Sequence, residues 1–500
     1  MRGRARWPGW TDGAGGWRGL LVAARRHWLL AIIFCAGVSL RILAQAAYRP
    51  ALVYIDSYRY LHGDSSLDPL GYLALLWPVQ RAGGLAAVAA AQHILGLGMA
   101  LALYAVLLRR GMWRWAAALA AAPVLLDGYQ LQAEQTIMPD VLFEALIVAA
   151  VTLLLWRRVP AAWQVGLAGV ALGVGVTVRE VGAILIVPAL AFLLVRARRW
   201  QRLADGALLA AGAAVPVLIY LLAGLAVSGH ATFTERNSAV FYGRAAAAAN
   251  CATLRLPPDE RSLCPAPQVV SVLGIDGLVG DPAGPLLSYR PPPGMTTVAM
   301  ADRFERAVVT QQPMAVANAI RGDVMKLFAL TRNTAPGDMP ISRWQFQTSY
   351  PTYPPLITLR YVASIRPGGG PPAVSRPLAE ALRGYQLHGG YTPGPLLWVA
   401  ALAGLAGSCL LGLGAGRGEH AAAATACLLT TAMVIILLLA SDVYEFSWRY
   451  QLPALVLLPP AGILGAAVIA CTVRGCFAEA GETPQGAAAT PDAETARLTS

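Results

Sequence analysis

The sequence predicts an all-α polytopic membrane protein, and three observations carry that prediction: its composition, its apolar runs and the placement of its arginines. Of 500 residues, 56% are hydrophobic and 13% charged, against roughly 25% charged in an average soluble protein. The mean hydropathy is +0.53. These values exclude a disordered chain, a collagen-like chain and an ordinary cytosolic enzyme. The net charge is +12, and Lys326 is the only lysine. A basic balance of that size also suits nucleic acid, but the arginine positions give it a different explanation.

A hydrocarbon core about 30 Å thick needs roughly 20 apolar residues in helical form. Ten segments approach that length: Trp28–Tyr48, Gly83–Leu108, Met112–Leu131, Val141–Trp156, Trp163–Val178, Val181–Val195, Gly206–Val227, Gly394–Leu413, Ala421–Ala440 and Leu452–Val473. The third carries Asp127 and Gln130 in its outer half. The fifth and sixth are separated only by Arg179-Glu180 and read as a tight hairpin or as one broken helix. Positive charge is retained on the cytoplasmic side. Arg2, Arg4, Arg6, Arg18, Arg25 and Arg26 precede the first span. Arg109, Arg110 and Arg114 follow the second, Arg157 and Arg158 the fourth, and Arg196, Arg198, Arg199 and Arg202 the sixth. Simple alternation puts all four clusters on one face, which accounts for the basic balance with no nucleic-acid partner.

The resulting map has a cytoplasmic basic arm (1–27), an N-terminal transmembrane module (28–227), an external region between spans seven and eight (228–393), C-terminal spans (394–473) and a cytoplasmic tail (474–500). Both termini are cytoplasmic, in a cell membrane. The tail is rich in Ala, Gly, Thr, Pro and acids, and its composition predicts disorder from Phe477 onward. The external region is too polar and too rich in Pro and Gly for lipid, holds a helical run over Thr297–Leu330, and is long enough for a small mixed domain. Cys251 and Cys264 lie there, where an oxidising compartment favours pairing. Their crosslink would close a loop of about 14 residues, a stabilisation of roughly 3 kcal/mol. The other cysteines show no zinc-ligand spacing. The first span resembles a signal peptide in its Ala44-Gln45-Ala46 sequence, but Arg41 interrupts the apolar run just before it, and the run is long enough to span.

Ionisable groups at membrane depth are expensive and commonly functional. Here they gather near the outer ends of spans. Asp56 follows the first span in Tyr54-Ile55-Asp56-Ser57-Tyr58-Arg59-Tyr60. Asp140 opens the fourth, with Glu134 before it and Glu144 one turn on, on the same helix face. Arg179 and Glu180 form the fifth–sixth corner. Asp442, Glu445 and Arg449 precede the last span. Several have bland readings. Asp140 suits a helix N-terminus electrostatically, Arg449 can snorkel to headgroups, Glu144 suits a paired interior acid, His93 reads as a hydrogen-bonded packing residue, and Asp64 and Asp68 belong to a solvated loop. Asp56 resists such a reading, because it stands alone among tyrosines directly beyond a span. A carboxylate there can act as a general base, and neighbouring arginines can hold a phosphate bidentately. Acids and arginines at lipid level suit a phosphate-linked group on a lipid carrier. A proton-coupled transporter uses the same residue types.

With these residues in view, the chain resembles GT-C superfamily glycosyltransferases, and among them bacterial phospholipid-carrier-dependent enzymes related to protein O-mannosyltransferases and aminoarabinose transferases. The likeness rests on the acid in Tyr54–Tyr60 with Gly71-Tyr72-Leu73 behind it, on Gln92-His93-Ile94-Leu95-Gly96-Leu97, on Met138-Pro139-Asp140-Val141-Leu142-Phe143, on Val178-Arg179-Glu180 and on Trp448-Arg449-Tyr450-Gln451-Leu452-Pro453. It implies a GT-C-like bundle of about ten transmembrane helices that moves a sugar from a polyprenyl-phosphate donor, with inversion, to a glycan, lipid or protein acceptor on the outer face. In that scheme Asp56 and Asp140 are catalytic, Arg179 and Arg449 bind the donor phosphate, and Glu134 and Glu180 are supporting acids. Some relatives use a divalent cation, Mg or Mn, which Asp56 and Asp140 would hold; others need none. Relatives often carry Arg-Pro where this chain has Arg179-Glu180, which alters the phosphate pocket. The competing classes are a secondary transporter or lipid-linked-substrate flippase, and a non-catalytic scaffold. The transporter reading would favour internal repeats and acids at mid-membrane.

Overall fold

The computed structural model describes residues 25–196, 199–234, 240–365, 370–410 and 421–481. Most of the basic arm, Arg198, the far end of span eight and the last part of the tail lie outside the described residues. The described chain is overwhelmingly helical, and its one sheet pairs Tyr48–Arg49 with Ala373–Val374, antiparallel, in the register Tyr48↔Val374.

Each of the ten expected spans overlaps a helix among the described residues, but Met112–Leu131 and Val181–Val195 are each divided into two elements. Five helices among the described residues are long and apolar enough to cross a membrane: those within Trp28–Ala47, Leu70–Arg109, Trp200–Ser228, Ala422–Tyr444 and Trp448–Val473. Arg199–Ser228 exposes Leu218, Ile219, Leu222, Leu225 and Val227. An apolar face that size is stable only against lipid or another protein. The last helix, Leu452–Gly481, continues past the expected start of the disordered tail at Phe477.

The second and third spans depart from expectation for local reasons. Leu73–Arg109 is broken at Gly83 and Gly84, where Gly84 adopts φ +75°, a conformation that costs glycine little. Met112–Leu131 is not one span. A helix covers Arg114–Leu126, Asp127 then leaves helical geometry, and its carboxylate caps the next helix, Gly128–Gln135, by accepting from the Tyr129 N–H at 2.9 Å. All eight residues of that second helix are buried. Between spans five and six, Arg179 is extended and breaks the helix Ala162–Val178 before a 3-10 segment, Glu180–Leu185, and the helix Ile186–Arg196.

The external region divides in two. Residues of 240–320 share a core of their own, centred on Tyr242, Met300, Phe304 and Val308, beside the Cys251–Cys264 disulfide. Trp344, Phe346, Ile357 and Val362 instead bury against the membrane module, beside Tyr54, Tyr48 and Tyr60. The helical run over Thr297–Leu330 is two helices, Thr297–Gln311 and Pro313–Lys326. Pro313 explains the break, because it disfavours helical geometry at the residue before it.

At the opposite end of the bundle, the buried Arg110 guanidinium donates to the carbonyls of Leu155 at 2.6 Å, Arg157 at 2.8 Å and Ala422 at 3.2 Å. Arg109 stacks on Trp156 at 4.0 Å. These arginines neutralise helix C-termini, where positive charge is favourable. Asp140 begins the helix that ends at Leu155, so it stands about 22 Å from that basic end.

Candidate active site

Backbone pairing brings the two acidic segments together. Leu52 forms an isolated parallel bridge with Thr136; its N–H donates to the Gln135 carbonyl at 3.0 Å, and its carbonyl accepts from Ile137 N–H at 2.9 Å. The Ser57 hydroxyl extends this seam. It accepts from the Tyr54 N–H at 2.8 Å, fixing the start of the helix Ile55–His62, and donates to the Ile137 carbonyl at 2.7 Å. Asp56 and Asp140 therefore sit just beyond two paired strands of backbone.

Arg449 bridges them. It lies in the 3-10 turn Trp448–Gln451, entered through the extended Ser447. Its Nη1 is 2.7 Å from Asp56 Oδ2, and its Nε is 3.8 Å from Asp140 Oδ1. Arg179 Nη2 donates to Asp140 Oδ1 at 2.8 Å. The Tyr450 ring lies between the two guanidiniums, 4.9 Å from that of Arg179 and 4.8 Å from that of Arg449. On its other side, Asp56 Oδ1 accepts from Arg59 at 2.8 Å. Asp68, expected in a solvated loop, accepts from the same Arg59 at 2.6 Å, because Arg59 is desolvated enough to require a second counter-charge.

Burial alone would raise the Asp56 carboxyl, but the Arg449 and Arg59 guanidiniums outweigh it and hold Asp56 below its ordinary value. Asp68 moves the other way, raised by burial and by the charge of Asp56. Asp56 is thus the ionised member of the pair.

A cavity adjoining Asp140 is lined by Glu144, Arg179, Arg449 and Tyr450. Four side-chain atoms there, Asp140 Oδ2, Glu144 Oε1, Arg179 Nε and Arg449 Nε, are buried without a hydrogen-bond partner among the described residues. Buried polar groups are usually satisfied. The cavity itself is about 10 Å³, room for about one water, so its two N–H donors and two carboxylate oxygens mark unused polar capacity beside the ion pairs.

The remaining expected site residues lie elsewhere. Glu134 is fully buried in a separate cluster, 2.7 Å from Arg41 Nη2 and 2.9 Å from His93 Nδ1. His93 also meets Gln135 at 2.8 Å. This cluster anchors the buried helix and does not line the cavity, so the structure does not bring Glu134, expected as a supporting acid, to the centre. Glu180 opens the 3-10 segment beyond Arg179 and is not among the residues lining the cavity. Arg59 and Tyr450 went unassigned in the sequence. Arg59 follows Asp56 by three residues, a spacing that places both on one helix face; Tyr450 carries no sequence signal beyond its adjacency to Arg449.

Both carboxylates pair with guanidiniums, and no group of three or more His, Cys, Asp or Glu converges among the described residues. Arg449 supplies the positive charge between the acids.

Residues 84–229 match the model of a family described as dolichyl-phosphate-mannose-protein mannosyltransferase. That stretch includes Asp140 and Arg179. No curated protein matches the chain. Among solved structures the chain is similar to the archaeal oligosaccharyltransferase AglB from Archaeoglobus fulgidus in complex with an inhibitory peptide and a dolichol-phosphate, at 14% identity and a TM-score of 0.43, covering 93% of this chain and 53% of that one. The chain thus spans about half the length of that protein.

Proposed function

We propose, from a chain that carries a mannosyltransferase-family segment over residues 84–229, that it is a membrane glycosyltransferase. It moves a sugar from a polyprenyl-phosphate donor to an acceptor on the outer face of the membrane. The observation that carries this reading is the bridge of Asp56 and Asp140 through Arg449, with Arg179 beside it.

In the reaction, an acceptor hydroxyl attacks the anomeric carbon as the bond from that carbon to the phosphate oxygen breaks. The bonding electrons leave with the phosphate. The hydroxyl proton passes to Asp56, held ionised for that purpose. Attack from the face opposite the phosphate inverts the anomeric configuration. Arg179 and Arg449 stabilise the negative charge that grows on the leaving phosphate, a term worth several kcal/mol in a desolvated site. Asp140 aligns both guanidiniums and offers Oδ2 to a hydroxyl of the donor sugar. The outward direction is supported by the placement of the site at the helix end remote from Arg109, Arg110 and Arg157, since basic ends are cytoplasmic.

Isolated membranes supplied with labelled polyprenyl-phosphate sugar test the reading. Transfer is expected with the native chain and is lost in Asp56→Asn; full activity in that variant removes the proposed base.

A further inference from the structure

Beside the ion-paired centre lies a second cavity of about 630 Å³, within the range of small-molecule sites, roughly 300–1,000 Å³. Its walls come from three distant parts of the chain: the helix Pro267–Gly280, the loop 334–343, and Glu445-Phe446, which leads into Arg449. Two glycines allow the first two walls to meet. Gly274 has φ +65° and Gly337 φ +82°, and a Cβ on Gly274 would collide with the Gly337 carbonyl oxygen.

Asp276, Arg343 and Glu445 line this cavity and supply its chemistry; Asp338, also in its wall, is neutralised by Lys326 at 2.7 Å. Arg343 Nη1 donates to the Tyr54 hydroxyl at 3.1 Å, and the Tyr54 ring lies 5.9 Å from the Arg449 guanidinium. Arg343 therefore links the wall of this cavity, through Tyr54, to the centre that holds Asp56. Burial, then the charge of Asp276 and a hydrogen bond to it, raise the Glu445 carboxyl well above its ordinary value. Arg343 is the one cationic side chain among the residues lining this cavity. Carboxyl acceptors and a guanidinium donor set around one cavity match the adjacent hydroxyls of a sugar chain, each of which both donates and accepts.

We infer that this cavity is the acceptor subsite, and that it takes a neutral polyhydroxylated chain, a glycan, through Asp276, Arg343 and Glu445. The inference rests on the glycosyl-transfer reading and names the acceptor class for it.

The test uses the full chain in lipid nanodiscs without donor, and saturation-transfer NMR of three neutral trisaccharides (gluco-, manno- and galacto-configured) and of one uncharged Ser/Thr-rich peptide. At least one trisaccharide is expected to bind. Asp276→Ala removes a charged hydrogen-bond partner and should weaken that binding about tenfold. Met339→Trp fills the cavity from a different wall and should abolish it, with native thermal unfolding as the control for folding. Trisaccharide signals that ignore both variants, absence of any trisaccharide signal, or a peptide signal that the variants remove would each overturn the proposal. Asp56→Asn separates the two readings. It should bind the trisaccharide normally and fail to transfer; full transfer by that variant sinks the catalytic reading while leaving the glycan cavity standing.

Discussion

Arg449→Gln removes the charge that joins the two acids while keeping a side chain able to hydrogen-bond. In the native site Arg449 Nη1 is 2.7 Å from Asp56 Oδ2. With charge centres about 4 Å apart and an effective dielectric near 20, that pair is worth about 4 kcal/mol. Arg59 still faces Asp56 from the other side, and the Asp56 side chain keeps 14% of its exposure, so water and Arg59 recover part of the loss. The Asp56 pKa is therefore expected to rise, by less than the full pair energy. The direction follows from the native shift: a carboxyl held below its ordinary value stays ionised to low pH, so native transfer should be flat from about pH 5 upward, with its acid limb below about 3.9. In Arg449→Gln the acid limb should move to higher pH. The plateau rate should fall about 10²- to 10³-fold, because one donor to the departing phosphate is gone. The assay is the pH profile of labelled-sugar transfer in membranes containing each protein at matched amounts. An unchanged acid limb with a plateau within about twofold of native would refute the reasoning.

Arg179→Ala should act chiefly on the donor: its binding weakens about tenfold or more through loss of a charge-assisted contact, read as a raised KM for polyprenyl-phosphate sugar, and unchanged donor binding would remove the phosphate contact. Arg41→Met leaves Glu134 charged and fully buried without its guanidinium, a cost of about 3–5 kcal/mol, visible as a lower unfolding midpoint in nanodiscs; the double variant with Glu134→Gln should recover part of that loss. Gly96→Ala should destabilise the same cluster, since the new methyl meets the Glu134 carboxyl and lies 2.9 Å from Arg41 Nη2; native stability in this variant would contradict the described packing. Cys251→Ser with Cys264→Ser should cost roughly 3 kcal/mol, confined to the external core around Phe304, and measured by proteolysis of the 240–320 segment.

Much of the transmembrane pattern was legible because hydropathy is a one-dimensional property. Trp28–Ala47 and Ala421–Tyr444 follow from length and apolarity alone. The failure at Met112–Leu131 is instructive. Its composition averages to a span, yet Asp127 gains more by capping Gly128–Gln135 and by pairing with Arg332 at 3.2 Å than it would lose by ending the helix. Arg332 lies more than two hundred residues away, so no local window contains that information. Asp56, Asp140, Arg179 and Arg449 were each legible as polar groups lacking a local reason. Their convergence was not, because it depends on the Leu52–Thr136 bridge and on Ser57. Glu134 shows the converse limit. An acid near the outer end of a span looks like its neighbours until the buried Arg41 and His93 are seen around it.

The Ser57 hydroxyl and the Leu52 ladder have a consequence for how this protein can change. They hold the acidic segments in register through main-chain atoms, independently of which side chains stand at 56, 140 or 449. Chemistry and carpentry are therefore separable: a lineage can rewrite the charges while the joint keeps its angle, and an engineer can swap one acid without reframing the wall.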